Sequence, residues 1–511
     1  MSAIREVTRD RWRKEGRTWS ARIGLGALGV HTLLAAGCGG GDKGSVTSPP
    51  PVDPVLVIVA PATIAVGGIL QASASITPTK PVTWSSETPN LASVSSDGKI
   101  TGVAPGEASI RATSGRVSQT ASVTVLEPFT DLVLGSLHAC AVTAAGLRYC
   151  WGYNGTSQLG MMANTDTCTP HGFTEACSTL PRLDQSSMRF VQLSASFGNT
   201  CGLTSAGEAY CWGDNEQGQL GPTSGRCNDK PCTSAPVRAP GTTHFVSIGA
   251  GDSHACALDT AGLAYCWGIS WYGNLGAVPQ DRCSVNSCSL APLAVAGGLT
   301  FQALSVGDLH SCGLSPSGEA YCWGWNANGQ LGNGKVSALE GGEAMPVAVG
   351  GGFSSFAVIS AGRSHTCALT AAGQAYCWGK NETGQLGTGT TTSSSLPLPV
   401  VGGLTFVSIT EGDDHTCALT TAGRAYCWGI NGDGRPNSGQ LGDGTSTSRH
   451  APTPVARSIV FAELRAHRNF TCGRTASGST YCWGSNLYGQ LGIWDAVRTN
   501  SLSPVGVAGI P

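Results

Sequence analysis

Seven cysteines recur along the chain (Cys140, Cys201, Cys256, Cys312, Cys367, Cys417 and Cys472), and each is followed ten residues later by another (Cys150, Cys211, Cys266, Cys322, Cys377, Cys427 and Cys482). Thiols at such spacing could hold zinc, exchange electrons or bond to each other. Zinc needs sets of four ligands and redox work favours Cys-x-x-Cys, and neither pattern is present. Six residues after each first cysteine stands a glycine (Gly146, Gly207, Gly262, Gly318, Gly373, Gly423, Gly478). A three-residue hairpin loop needs a left-handed residue at that place. With 144–146 as the loop, residues 143 and 147 pair, and so do Cys140 and Cys150, at a separation that a disulfide spans. Three closer pairs, Cys168 with Cys177, Cys227 with Cys232 and Cys283 with Cys288, lie in longer connections. Twenty structural cysteines are expected, with no metal and no cofactor.

A histidine stands two residues before five of the first cysteines (His138, His254, His310, His365, His415), with Asn199 and Phe470 in the same register. Repetition at one register predicts packing, because a reacting constellation breaks symmetry. No Gly-x-Ser-x-Gly, His-Glu-x-x-His or phosphate loop occurs. Asn431–Gly439 has the look of a calcium loop but lacks the terminal glutamate, so a plain insertion is expected. These features predict a protein that is not an enzyme. If it binds, specificity belongs where the copies differ. Tyr153, Trp271, Tyr272, Trp325 and Tyr488 occupy variable loops, and aromatic loop residues make good anchors. The competing role for them is to shield neighbouring repeats.

The elements that must carry these residues are β. Among 511 residues only 12% are charged, whereas glycine occurs 72 times, which favours tight turns over solvated helices. The 30 basic and 32 acidic residues give a net charge of -2, with no excess to attract nucleic acid. Twenty-one cysteines argue for an oxidising compartment. Residues 1–37 read as a signal peptide: a basic stretch, then an apolar run Ile23–Ala36 too short to span a bilayer. It ends Leu34-Ala35-Ala36-Gly37-Cys38, which resembles the lipobox of bacterial lipoproteins. That resemblance implies lipidation of Cys38, a membrane anchor and an envelope location outside the cytoplasm. Residues 39–53, rich in Gly, Ser and Pro, make a disordered linker.

Residues 54–128 show short strands between turn residues, as in a small β-sandwich. With Trp84-Ser85-Ser86, Ala92-Ser93-Val94 and Gly98 to Ala104 the segment resembles the bacterial immunoglobulin-like group 2 domain, which implies a spacer or adhesive module. From residue 129 to 511 one unit recurs seven times with a period of 50 to 61 residues: Gly-x-x-His-x-Cys, Tyr-Cys-Trp-Gly-x-Asn and Gly-Gln-Leu-Gly. It resembles the repeat of the regulator of chromosome condensation family. The resemblance implies an all-β, seven-bladed β-propeller, with the Trp–Gly steps and Gly-Gln-Leu-Gly corners in contact between blades. The last copy stops at Ser503–Val507 and the first begins at Phe129, so the two chain ends are expected to complete one blade together. The insertions 161–181, 222–236 and 277–291 are expected to project from one side.

Family members include an exchange factor for a small GTPase at chromatin and a secreted bacterial inhibitor of β-lactamases. Secretion and the lack of basic excess favour the second precedent. The expected function is a monomeric, lipid-anchored protein whose propeller face binds a protein or glycan. A structural or adhesion protein without a ligand is the alternative, and nucleotide exchange or an envelope hydrolase stand behind it.

Overall fold

The structure, a computed structural model, describes residues 55–507 apart from short stretches at 61–62, 67, 78, 162–165, 170–173, 185, 224, 228–229, 284–285, 353–354, 433–438 and 494–498. The expectations for residues 1–53, Cys38 included, lie outside the described residues, as does most of Asn431–Gly439.

Residues 55–126 form short strands in three sheets. The largest carries Thr63–Ala65, Val117–Leu126, Gly106–Ser114 and Thr83–Ser86, in that order. Alternation along Gly106–Ser114 points Ala108 and Ile110 inward against Ile64, Ile100, Val123 and Val125, and Ala112 against Leu56 and Ile76, all buried. The module has no cysteine, so this apolar core alone holds it.

The repeats fold as seven successive antiparallel sheets of four or five strands, an all-β propeller. The fifth sheet is representative: Val358–Ala361 pairs with His365–Leu369, then Ala375–Gly379, then Ser394–Pro399. The cysteine-bearing hairpin is the middle of each sheet. Thr143 N–H donates to Leu147 carbonyl at 3.0 Å, Gly146 takes φ +75°, and Cys140 faces Cys150 with Cα atoms 4.1 Å apart. All ten expected cysteine pairs are bonded, the seven hairpin pairs at 4.0–4.1 Å and the other three at 5.6–5.9 Å between Cα atoms.

Two expectations need correction. The chain ends do not share a sheet: Phe129–Leu134 is the first strand of the first sheet, and Asn500–Gly506 is the last strand of the seventh. The Pro-x-x-Val and Phe-x-x-Ile halves of each inter-repeat stretch are consecutive strands of different sheets, so the ends complete a repeat without completing a blade. The ring closes instead by side-chain packing: Trp151 Nε1–H donates to Gln490 carbonyl at 3.0 Å, and Phe129, Trp151, Leu491 and Val507 share one core. The insertions, in turn, do not merely project. Asp166–Cys168, Arg226–Cys227 and Asp281–Cys283 add a fifth strand to the outer edge of sheets one to three, each tied by its disulfide. Every fourth strand also holds a proline (Pro181, Pro236, Pro292, Pro346, Pro397, Pro452, Pro504), a residue that spoils edge-to-edge pairing.

Candidate binding face

The buried frame accounts for the residues that repeat. The indole N–H of Trp212, Trp267, Trp378, Trp428 and Trp483 donates to the Gln carbonyl of the preceding Gly-Gln-Leu-Gly corner at 2.9–3.1 Å, as Trp151 does across the closure. Each histidine contacts a hydroxyl of the next sheet through Nε2: His138 with Thr200, His310 with Thr366, His365 with Thr416 and His415 with Thr471 at 2.8–2.9 Å, and His254 with Ser311 at 3.2 Å. These four threonines give their own proton to a corner carbonyl. The threonine oxygen must then accept, so these four histidines carry a proton on Nε2. Burial pulls His138, His254, His310 and His365 down to about 3 and His415 to about 4. The histidines are packing elements that link adjacent sheets.

The connection between first and second strands and the connection between third and fourth lie at the same end of each sheet. Tyr153 N–H donates to Leu137 carbonyl, Thr383 Oγ1 to Asp414 carbonyl and Gln385 Nε2 to Asp414 Oδ1. These two loops of every sheet therefore share one face. On it the five nominated aromatics are partly buried and fall in two places. Tyr153 and Tyr488 meet edge-on at 4.9 Å where the seventh sheet adjoins the first. Tyr272 and Trp325 lie 6.2 Å apart between the third and fourth sheets. Trp271 occupies the same corner as Tyr272. Both the anchoring and the shielding roles are served by such pairs.

That third corner departs from the rest. In six copies an Asn oxygen accepts the N–H of the corner Leu (Asn154, Asn215, Asn326, Asn381, Asn431, Asn486). In five of those, the corner Gln caps the N–H two residues earlier. The third copy has Ser270 and Asn274 instead, each shorter. Asn274 is fully buried with neither amide atom partnered, Trp323 Nε1 has lost its acceptor, and Tyr272 stands at φ +58°. A non-glycine residue in left-handed conformation stores strain, which proteins retain mostly where loops have work to do. Around it Val278, Val336, Leu339 and Met345 are exposed, and Trp325 Nε1 donates to Leu339 carbonyl at 2.9 Å.

The sequence reading missed a second asymmetric cluster, at the mouth of the central channel. The residue after the glycine of Gly-x-x-His becomes a ring of Ser136, Phe197, Asp252, Asp308, Arg363, Asp413 and Arg468, one from each sheet. Arg363 pairs with Asp413 at 2.9 Å, and Arg468 lies over the Phe197 ring at 5.8 Å. Burial, then the neighbouring Asp413, pushes Asp252 up to about 6; burial, then Asp252 and Asp413, holds Asp308 well above the usual carboxylate range. Below the ring is a cavity of about 160 Å³ lined by Asp308, Arg363, Glu411, Asp413 and His467, and a further channel cavity of about 370 Å³ reaches Asp131 and Arg465. Glu411 is buried, accepts from Ser360 Oγ, and is raised by burial to about 8. The available signal was the one used for the loops: these positions differ between copies that otherwise agree. Among the described residues no group of three or more His, Cys, Asp or Glu side chains could hold a metal ion.

This ring of repeated four-stranded units with one variable face defines a propeller class, and the family model of the RCC1-like domain matches residues 95–474, so the chain belongs to that family. The model of the bacterial Ig-like domain (group 2) matches residues 51–125. The chain is 31% identical over 277 residues to the ultraviolet-B receptor UVR8 of Arabidopsis thaliana, covering 53% of this chain and 57% of that protein. It is 30% identical over 277 residues to the human E3 ubiquitin-protein ligase HERC2, covering 52% of this chain and 5% of that one. The match thus spans little over half of the first relative and a small part of the second. Two solved structures share the fold: human WBSCR16, TM-score 0.59 at 20% identity, covering 70% of this chain and 94% of that one, and yeast RCC1 (Prp20) bound to Kap60, TM-score 0.57 at 21% identity, covering 72% and 84%.

Proposed function

We propose that this chain is a binding protein of the cell envelope, held there by a lipid on Cys38, whose loop face recognises a partner protein. One observation carries the reading: the strained third corner, its apolar surround and the charged channel mouth, each a departure from the sevenfold pattern, all sit at the same end of the sheets. Packing alone would have kept the copies alike. The disulfides suit an oxidising location, and Prp20, a propeller of the same fold, has been crystallised with a protein partner. A mixed face of aromatic and charged groups has the composition of a protein-recognition surface.

The test is crosslinking capture from envelope and medium, comparing the full chain with Trp271→Ala/Tyr272→Ala/Trp325→Ala. Selective loss of one captured protein supports the reading; equal capture by both chains moves the weight to a structural role.

A further inference from the structure

We propose that the channel mouth is a binding site for a primary ammonium group on a short alkyl stem, with Asp308 and Glu411 as its acceptors. This deepens the reading of the loop face as a recognition surface and rests on it. The cavity of about 160 Å³ is of the size that accepts a benzene-sized guest. Three carboxyl groups line it from two sheets, Asp308 from the fourth and Glu411 and Asp413 from the sixth, and Asp252 of the third sheet is close enough to act on Asp308. Among the described residues no cation pairs with Glu411, while Arg363 and Arg468 act on Asp308 only through space. Arg363 is paired with Asp413, Arg468 lies against Phe197, and His467 is held neutral by burial, at about 4, with Nε2 3.8 Å from Asp308.

An independent observation comes from Glu411. The other six copies place Leu134, Ala195, Ala250, Val306, Ala361 and Ala466 at its register, so packing asks only for an apolar side chain there. Glu411 is 6% exposed and lines the cavity, and its Oε1 has no hydrogen-bond partner. His467 Nδ1 is likewise unpartnered. An orphaned buried acceptor is costly, and a donor arriving in the cavity would recover that cost. Asp308 and Glu411 reach the cavity from different sheets, which suits the diverging donors of an ammonium group. A guanidinium fork prefers two oxygens side by side. The raised carboxyl values agree, since a bound cation is what would return these groups to their ionised form.

The test is calorimetric titration of the full chain with n-butylammonium, which stays protonated throughout, against butan-1-ol of equal length. Binding of the ammonium alone, tightening about tenfold or more between pH 5 and pH 8 as the carboxyls ionise, is expected. Asp308→Asn and Glu411→Gln should each weaken it about tenfold, while Glu319→Gln, on the opposite hairpin end, should not. Equal binding of the alcohol, no dependence on pH, or indifference to both substitutions would overturn the proposal. The pH series on the unsubstituted chain decides the matter even where a variant fails to fold. Comparing 1,5-diaminopentane with Nα-acetyl-lysine methylamide then separates a free amine from a lysine of a partner, and preference for either supports the site. Trp271→Ala/Tyr272→Ala/Trp325→Ala should leave butylammonium binding unchanged, so failure of protein capture and failure of amine binding are read separately.

Discussion

At the scale of single residues, two corners deviate from the Gly-Gln-Leu-Gly rule, and each yields a measurable consequence. Ser157 replaces the first glycine in the first copy yet keeps its left-handed backbone, at φ +64°, where Gly218 takes +74°. Ser157→Gly should stabilise the chain by about 0.5–1 kcal/mol, because the Cβ penalty disappears while the conformation remains; the urea midpoint measures it. In the third corner, Ser270→Asn with Asn274→Gln should restore both caps and gain about 1–3 kcal/mol, by satisfying amides now buried without partners. If the strain at Tyr272 serves recognition, the same double variant captures less partner despite its higher stability. These departures were visible in the sequence as letters. Their meaning was not, since Asn for Gln reads as conservative until the missing methylene is seen to leave Trp323 and Tyr272 unsupported.

At the scale of elements, the hairpins and the outer strands were readable because both depend on residues close in sequence. A glycine six residues after a cysteine fixes the turn, and the turn fixes which thiols face each other. Each hairpin disulfide closes a short loop, so Cys367→Ala/Cys377→Ala should cost about 2–3 kcal/mol in a thermal or urea melt. The bonds are buried, which should make them resist reductant until the sheets open. One element carries a charge that no periodicity announced: Arg148 stands where the other copies have Ala or Thr, is 1% exposed, and pairs with Asp184 at 2.7 Å while lying 4.0 Å over Trp212. Asp184→Ala should cost about 3–5 kcal/mol by stranding that guanidinium, whereas Arg148→Ala/Asp184→Ala should cost much less. The insertions read as projecting loops because their lengths say nothing about pairing. A sheet edge with free backbone groups recruited them as fifth strands.

At the scale of the whole molecule, the channel cluster exists only because the ring closes. Asp252, Asp308, Arg363 and Asp413 are about one repeat apart in sequence, so no local window contains them together, and the aromatic loops drew attention by residue type alone. The ring also gathers six histidines, the five buried ones of the repeats and the half-buried His467, whose values are lowered to about 3 or 4. A histidine lowered on folding contributes stability that is fully present above its unfolded value near 6.5 and is lost as pH falls from there toward 3. Glu411 acts in reverse: raised to about 8, its contribution is complete below about 4.5 and is lost as pH rises toward 8. Asp214, Asp252, Asp308 and Glu463, also raised by burial, act with Glu411; the six histidines outnumber these five carboxyls, so the urea midpoint should drop between pH 6.5 and pH 4.5, and Glu411→Gln should raise it at pH 8 more than at pH 5.

Because each sheet is built from one uninterrupted stretch of chain, and the seam between seventh and first uses the same indole-to-carbonyl contact as five of the other six joints, the ring has no privileged starting point. A circularly permuted gene that joins residue 507 to residue 129 and opens the chain at Gly402–Gly403, where two left-handed glycines turn between sheets five and six, should encode the same closed ring. A propeller latched by a shared blade would lose its latch under that operation. Here the order of the blades around the ring matters, and the place where translation begins does not.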